Sequence, residues 1–249
     1  MRIDEERCSG CFECIDYCPV GAIKEIVDAG RASIDEEECV ECGCCLQVGV
    51  CEFEAIWQPE LQWPRIIRAQ FSNPRVPHPT VQRTSIYGRG TDEIKTNDVI
   101  GTYPRGYIAI AAELGRPGIG TCMEDIEKVV QAMLPLGVEF EKDNPTYSLF
   151  QDFAQAKLRE NVRGERVLSA ILECKTTEAK APHVLKALHR IAREVNTVIT
   201  VNVASIVEPD GSLPAQRVAR EAGFEIRPNG KTNLGLGRPS SEISVRGKQ

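Results

Sequence analysis

Nine of the eleven cysteines in this 249-residue chain fall between residues 8 and 51. Cys8, Cys11, Cys14 and Cys18 are followed at once by Pro19, which spells C-x2-C-x2-C-x3-C-P. Thiolate is a soft ligand suited to iron, and each iron of a four-iron cube needs one outer ligand. Two-residue spacings let three sulfurs of one tight loop converge on one cube. A second run, Cys39-x2-Cys42-x2-Cys45 and then Cys51, repeats the pattern. The chemistry these residues point to is single-electron transfer through two [4Fe–4S] clusters. Paired C-x2-C runs also bind zinc, but zinc takes only four ligands. A disulfide framework is disfavoured, because Met1 leads directly into Arg2-Ile3-Asp4 with no apolar signal stretch. With no apolar run of membrane-spanning length either, the expected location is a reducing cytoplasm.

The two halves match beyond their cysteines. Cys18-Pro19-Val20-Gly21-Ala22-Ile23 aligns with Cys51-Glu52-Phe53-Glu54-Ala55-Ile56. This internal repeat, over residues 1–58, resembles the two-[4Fe–4S] bacterial-type ferredoxin. In such proteins the fourth cysteine of each motif ligates the other cluster. The resemblance therefore implies Cys8, Cys11, Cys14 and Cys51 on one cluster, and Cys39, Cys42, Cys45 and Cys18 on the other. The second motif departs from the pattern. Five residues precede Cys51 where three precede Cys18, so the Gln47–Val50 stretch must bulge, and Glu52 replaces the proline. Register with Cys14 selects Cys45 and leaves adjacent Cys44 as the alternative. A Cys51 that failed to ligate would leave a three-iron or labile four-iron centre.

Charge divides the chain. Residues 1–58 hold fourteen acids and four bases, and the remainder holds 22 acids and 26 bases. An acidic face around clusters steers docking to a basic redox partner protein, although an acidic surface also serves simple solvation. The later bases are scattered, so no nucleic-acid footprint is expected.

Around the cysteine loops, the order of elements sets the expected fold class: α+β, a bacterial-ferredoxin module followed by a ferredoxin-like βαββαβ sandwich. The expected division is 1–58 for the cluster module, 59–104 for an extended proline-rich arm, and 105–249 for the sandwich with a glycine-rich tail. Pro59, Pro64, Pro74, Pro77, Pro79 and Pro104 oppose a long helix in the arm, and Trp57 and Trp63 would anchor its start. Residues 106–114 read as a buried strand. Thr121 and Glu124 suggest a capping box for a helix presenting Ile126, Val129, Val130, Met133 and Leu134. Residues 138–141 follow as strand, 147–162 as an added helix, 166–174 as strand, 182–195 as helix and 197–206 as strand. A short helix over 214–222 opens the tail.

Candidate ligand loops lie at residues 87–98 and 115–120. Arg89, Lys95 and Arg116 are the candidate anion-binding residues, for a flavin phosphate or a substrate carboxylate. A hydrogen-bonded turn with no ligand is the plainer reading of the same residues. Lys95-Thr96-Asn97 recurs as Lys231-Thr232-Asn233, and Leu114-Gly115-Arg116-Pro117 as Leu236-Gly237-Arg238-Pro239. Cys122 and Cys174 read as packed apolar side chains. No Ser/His/Asp or Cys/His set can be assembled, so catalytic residues remain unassigned.

Gly88 to Asp98, Tyr103-Pro104-Arg105-Gly106 and Glu113-Leu114-Gly115-Arg116-Pro117-Gly118 together resemble the 6-hydroxynicotinate reductase family. The resemblance implies an anaerobic oxidoreductase passing electrons to an N-heteroaromatic ring, with flavin gathering single electrons into pairs. The alternatives are a non-catalytic electron carrier or accessory subunit, and a small-molecule-binding regulatory protein with a redox module, either of which could oligomerise.

Overall fold

The computed structural model describes residues 1–78, 103–116 and 118–226. Its N-terminal part is built from two short antiparallel ribbons. Strand β1 (Arg2–Ile3) pairs with β4 (Ile56–Trp57), and β2 (Ile23–Ile26) pairs with β3 (Arg31–Ile34). The strand leaving each cysteine motif thus lies against the strand entering the other. A small core fills the space between, formed by Met1, Ala22, Ile23, Ala32, Ile34 and Ile56 with Cys14, Cys39 and Cys45.

The larger part centres on a four-stranded antiparallel sheet. Its spatial order is β12 (Ile199–Ala204), β5 (Tyr107–Leu114), β11 (Ala170–Thr177), β7 (Glu139–Phe140). Period-2 alternation turns Ile108, Ile110, Ala112 and Leu114 of β5 to one face. They meet Leu172 and Cys174 of β11 and the apolar stripes of two helices, Met123–Met133 and Ala181–Ile191. The first helix contributes Ile126, Val129, Val130 and Met133, the second Val184, Leu185 and Leu188, all nearly inaccessible. A third helix, Pro214–Glu221, adds Val218 to the same core. Cys174 is buried there among apolar side chains, as its sequence context suggests.

Several local expectations differ from the structure. Thr121 is not a helix cap: Thr121–Cys122 forms strand β6, paired with β10 (Arg166–Val167). The helix that follows begins without a side-chain cap, and its first amides donate instead to main-chain carbonyls, Met123 to Glu165 and Glu124 to Arg163. Residues 147–162 contain no α-helix. Strands β8 (Phe150–Asp152) and β9 (Lys157–Leu158) form a small hairpin, and Phe153 stacks on Tyr147 at 4.1 Å. Aromatic packing overrides the helical spacing there. The expected strand over 166–174 is broken in two, and its second part runs on to Thr177.

The stretch 59–104 is also not simply extended. Between Pro64 and Pro74 it forms the helix Ile66–Ser72, whose Ile67 and Phe71 enter the larger core. Trp57 and Trp63 remain 49% and 46% exposed, so the apolar anchors of this segment are Ile67 and Phe71 rather than the tryptophans.

Candidate metal centre

Each cysteine loop begins at an aspartate. The Asp4 carboxylate accepts from the Glu6 and Arg7 amides at 2.9 and 3.3 Å, and Asp35 accepts from Glu37 and Glu38 at 3.0 and 3.3 Å. The Cys8 amide then bonds the Asp4 carbonyl, and the Cys39 amide the Asp35 carbonyl. Lys24 beside Asp35, helped by these amides, holds its carboxyl below the usual range. Left-handed backbone recurs at matched offsets: Gly10 and Glu41, Phe12 and Gly43, Gly21 and Glu54. Three of these six are not glycine, so the loop geometry is imposed by the repeat and its hydrogen bonds. At the fourth cysteine of each half, an amide four residues on points at sulfur: Ala22 N–H to Cys18 Sγ at 3.1 Å, and Ala55 N–H to Cys51 Sγ at 3.3 Å.

The extra residues before Cys51 are absorbed where the loop turns. The first motif has a single 3-10 turn at Ile15–Tyr17; the second has an α-turn at Cys44–Gln47, closed by Gly49 at φ 66°.

Two apolar concavities result. One, about 290 Å³ including space open to solvent, is lined by Cys18, Cys39, Cys42 and Cys45 with Val20 and Val40. The other, about 330 Å³, is lined by Cys8, Cys11, Cys14 and Cys51 with Phe12 and Val50. Each quartet thus takes its fourth sulfur from the opposite motif, the exchange that strand pairing between halves dictates. Cys44 lines neither. Among the described residues no three His, Cys, Asp or Glu side chains are close enough to share a single metal ion. Two quartets of sulfurs, each lining its own concavity, suit a multi-iron cube, and amide donors aimed at Cys18 and Cys51 suit thiolates carrying excess negative charge. Burial pushes the thiols up, Cys42 to about 12 and Cys45 to about 11, with neighbouring cysteines adding repulsion. Protons must therefore leave when iron binds.

The two sites differ in surroundings. Cys39, Cys42 and Cys45 are buried, whereas Cys11 is exposed and Cys8 and Cys51 are half-buried. The Cys39 loop carries Glu41, wholly buried. Burial opposes its ionisation, but the Met1 amino group and Arg65, at 2.8 Å, outweigh that and hold the carboxyl below its usual range. Beside it Arg68, 3% exposed, donates from Nη1 to the carbonyls of Glu36, Glu37 and Cys39, each at 2.9 Å, and from Nε to Glu165 at 2.5 Å. Neither arginine carries a sequence signal: both are single bases in a proline-flanked stretch, and only the folded helix brings them to the loop. Glu41 lies between the candidate ligands Cys39 and Cys42, but by sequence it is one more acid of an acidic stretch.

Of the candidate anion-binding residues, Arg89 and Lys95 lie outside the described residues. Arg116 is placed at the end of β5, where it pairs with Glu113 at 3.2 Å and bonds Ser169 at 3.4 Å. It is therefore held in a local ion pair. Both recurring tail segments, 231–233 and 236–239, lie outside the described residues, as does the 87–98 loop. No described helix is long and apolar enough to cross a membrane.

Comparison with known proteins bears on the N-terminal part of the chain. A relative from Methanosarcina acetivorans, the B component of an ion-translocating oxidoreductase complex, is 44% identical over 52 residues. That match covers 21% of this chain and 18% of the relative. No solved structure matches the chain. Residues 1–51 match the family described as a 4Fe-4S dicluster domain, and this part of the chain is an iron–sulfur electron-transfer module of ferredoxin type.

Proposed function

We propose that the chain is a two-cluster electron relay serving, or forming part of, a reductase. The observation that carries this is the sorting of eight cysteines into two quartets, each around its own cavity and each completed by the other motif. Cys8, Cys11, Cys14 and Cys51 would hold the outer [4Fe–4S] cluster, and Cys18, Cys39, Cys42 and Cys45 the inner one. When bound, the clusters supply one-electron storage and transfer. The chain's own residues direct amides at sulfur, exclude water and fix the loops.

The larger part supports a second role. Its chain order, strand–helix–strand then strand–helix–strand, with spatial order β12-β5-β11-β7 and both helices on one face, is that expected of a ferredoxin-like βαββαβ sandwich. We read it as the part that receives the electron, either as a substrate-binding unit or as the docking unit of a carrier. The finer reading, a reductase of the 6-hydroxynicotinate type using flavin, rests on the 88–98 and 113–118 runs. An anionic substrate, a basic redox partner protein, an anaerobic cytoplasmic setting and an oligomer belong to the same proposal.

Anaerobic purification with iron, sulfide and flavin measured per chain tests it. About eight irons and eight sulfides are expected. Flavin alongside them favours the reductase, and its absence favours the carrier. A colourless, zinc-loaded or metal-free protein would sink the relay altogether.

A further inference from the structure

We propose that Arg68 is a positioning residue for electron transfer: its buried guanidinium locks the inner cluster loop against the larger domain and supplies the fixed positive charge that keeps this cluster reducible. The inference rests on the two-cluster reading above and adds to it which cluster faces the rest of the chain and what sets its potential.

The inner loop is the one held to the larger part of the molecule. Arg68 binds three carbonyls of that loop, including that of the ligand Cys39, while its Nε bonds Glu165 just before β10. Arg166 reaches Glu38 at 3.1 Å, Asn73 accepts from Gln47 at 3.1 Å, and the Ser72 hydroxyl accepts from the Leu168 amide at 2.8 Å. Gly120 presses on the cavity wall itself. A Cβ there would lie 3.3 Å from Val20 Cγ1 and 4.0 Å from Val40 Cγ1, and both valines line the inner concavity. None of these contacts involves the outer loop. An electron leaving for the larger domain therefore leaves from the inner cluster.

Burial alone works against this. Reduction adds one negative charge to a centre already bearing four thiolates, and a poorly solvated centre resists that charge. A guanidinium shielded from solvent opposes the penalty more strongly than a surface charge can. Arg68 is joined by Arg65, Arg2 and the Met1 amino group; the counter-charges on the same side are Glu41 and Glu165 and the more exposed Glu36, Glu37 and Glu38. Exposed acids flank the outer loop too, Glu5, Glu6, Glu13, Glu52 and Glu54, with Arg7 paired to Glu54 and Arg31 to Glu5; what distinguishes the inner loop is Arg68, the one arginine buried among the described residues.

The test is a potentiometric titration, read by electron paramagnetic resonance with a one-electron mediator, on full-length protein carrying both clusters. A Cys11→Ser variant identifies the outer signal. Arg68→Gln is expected to lower the inner cluster's equilibrium constant for reduction about tenfold, ~59 mV for a one-electron couple, with the outer cluster unmoved. Glu165→Gln, which removes the counter-charge, is expected to shift the inner cluster the opposite way, and it serves where Arg68→Gln fails to assemble. Two intact clusters whose potentials ignore Glu165→Gln, or move together, overturn the role of Arg68 and leave the relay standing. Failure of the wild-type chain to bind iron overturns both.

Discussion

At the residue scale the pair Cys44–Cys45 tests the proposed ligand set. Cys45 is buried and lines the inner concavity, whereas Cys44 begins the α-turn and lines neither site. Cys44→Ser is expected to retain all iron. Cys45→Ser is expected to lose roughly one iron as a three-iron centre, or the whole inner cluster. Iron content and the spectrum of the oxidised protein distinguish the two outcomes, and equal damage from both substitutions would refute the assignment. Gly10 gives a second residue-scale prediction. It has φ 73°, and a Cβ there would lie 2.1 Å from the Gly30 carbonyl oxygen. Gly10→Ala must therefore move backbone, at a cost of roughly 2–4 kcal/mol from left-handed strain and overpacking. Thermal unfolding of the loaded protein should show that loss, while Gly30→Ala, with open space around its Cβ, should cost less. The cysteine run of the 4Fe-4S dicluster domain was legible because cluster chemistry restricts both residue type and spacing. Glu41 and Arg68 were not, since a buried acid or base is recognised only by what encloses it.

At the element scale the helix Ile66–Ser72 joins the two cores, and His78 extends that junction. His78 is 4% exposed and meets Phe71 edge-on at 5.3 Å. Burial pushes its imidazole down to about 4. The folded state thus keeps His78 neutral to about pH 4, while the unfolded chain takes a proton near 6.5. The unfolded state binds more protons between those values, so stability falls as pH drops from 6.5 toward 4. The expected loss is on the order of 1–3 kcal/mol. Denaturant titrations at pH 7 and 4.5 should show it, and His78→Leu should flatten the slope; an unchanged slope would mean that His78 titrates normally. This junction also marks what sequence could not supply. The continuous apolar run of 106–114 predicted a strand that is buried on both faces, and the apolar stripes of Ile126 to Leu134 and of 182–195 predicted helices that bury one face against the sheet. A seven-residue helix between prolines has too short a period to read, and the aromatic cluster of Tyr147, Phe150 and Phe153 mimics a helical face while folding as a hairpin. The Thr121 capping box failed for a related reason: pairing of β6 with β10 outcompetes a side-chain cap worth about 1 kcal/mol.

At the scale of the whole molecule, charge and position combine. The cluster module carries a net charge of −10 from fourteen acids and four bases, its Cys8, Cys11, Cys14 and Cys51 quartet is the more exposed one, and the remainder is mildly basic, with 26 bases against 22 acids. A relay of the kind proposed would take electrons at its acidic end and be steered there by long-range attraction. Such steering raises association rates by roughly 10–10³ at low salt, and screening removes it as the Debye length contracts from about 30 Å at 0.01 M to about 10 Å at 0.1 M. Stopped-flow electron exchange between the reduced protein and a basic cytochrome should therefore slow by roughly tenfold or more over that range. Exchange with an acidic acceptor of similar size should quicken. Reversing charge beside the outer quartet, with Glu13→Lys and Glu52→Lys together, should weaken the salt dependence for the basic acceptor without changing iron content, because both side chains are exposed and neither supports a loop. Identical salt profiles for acidic and basic acceptors would show that the acidity serves solvation alone, and that the entry face must be sought in the apolar surface around Phe53 and Trp57 instead.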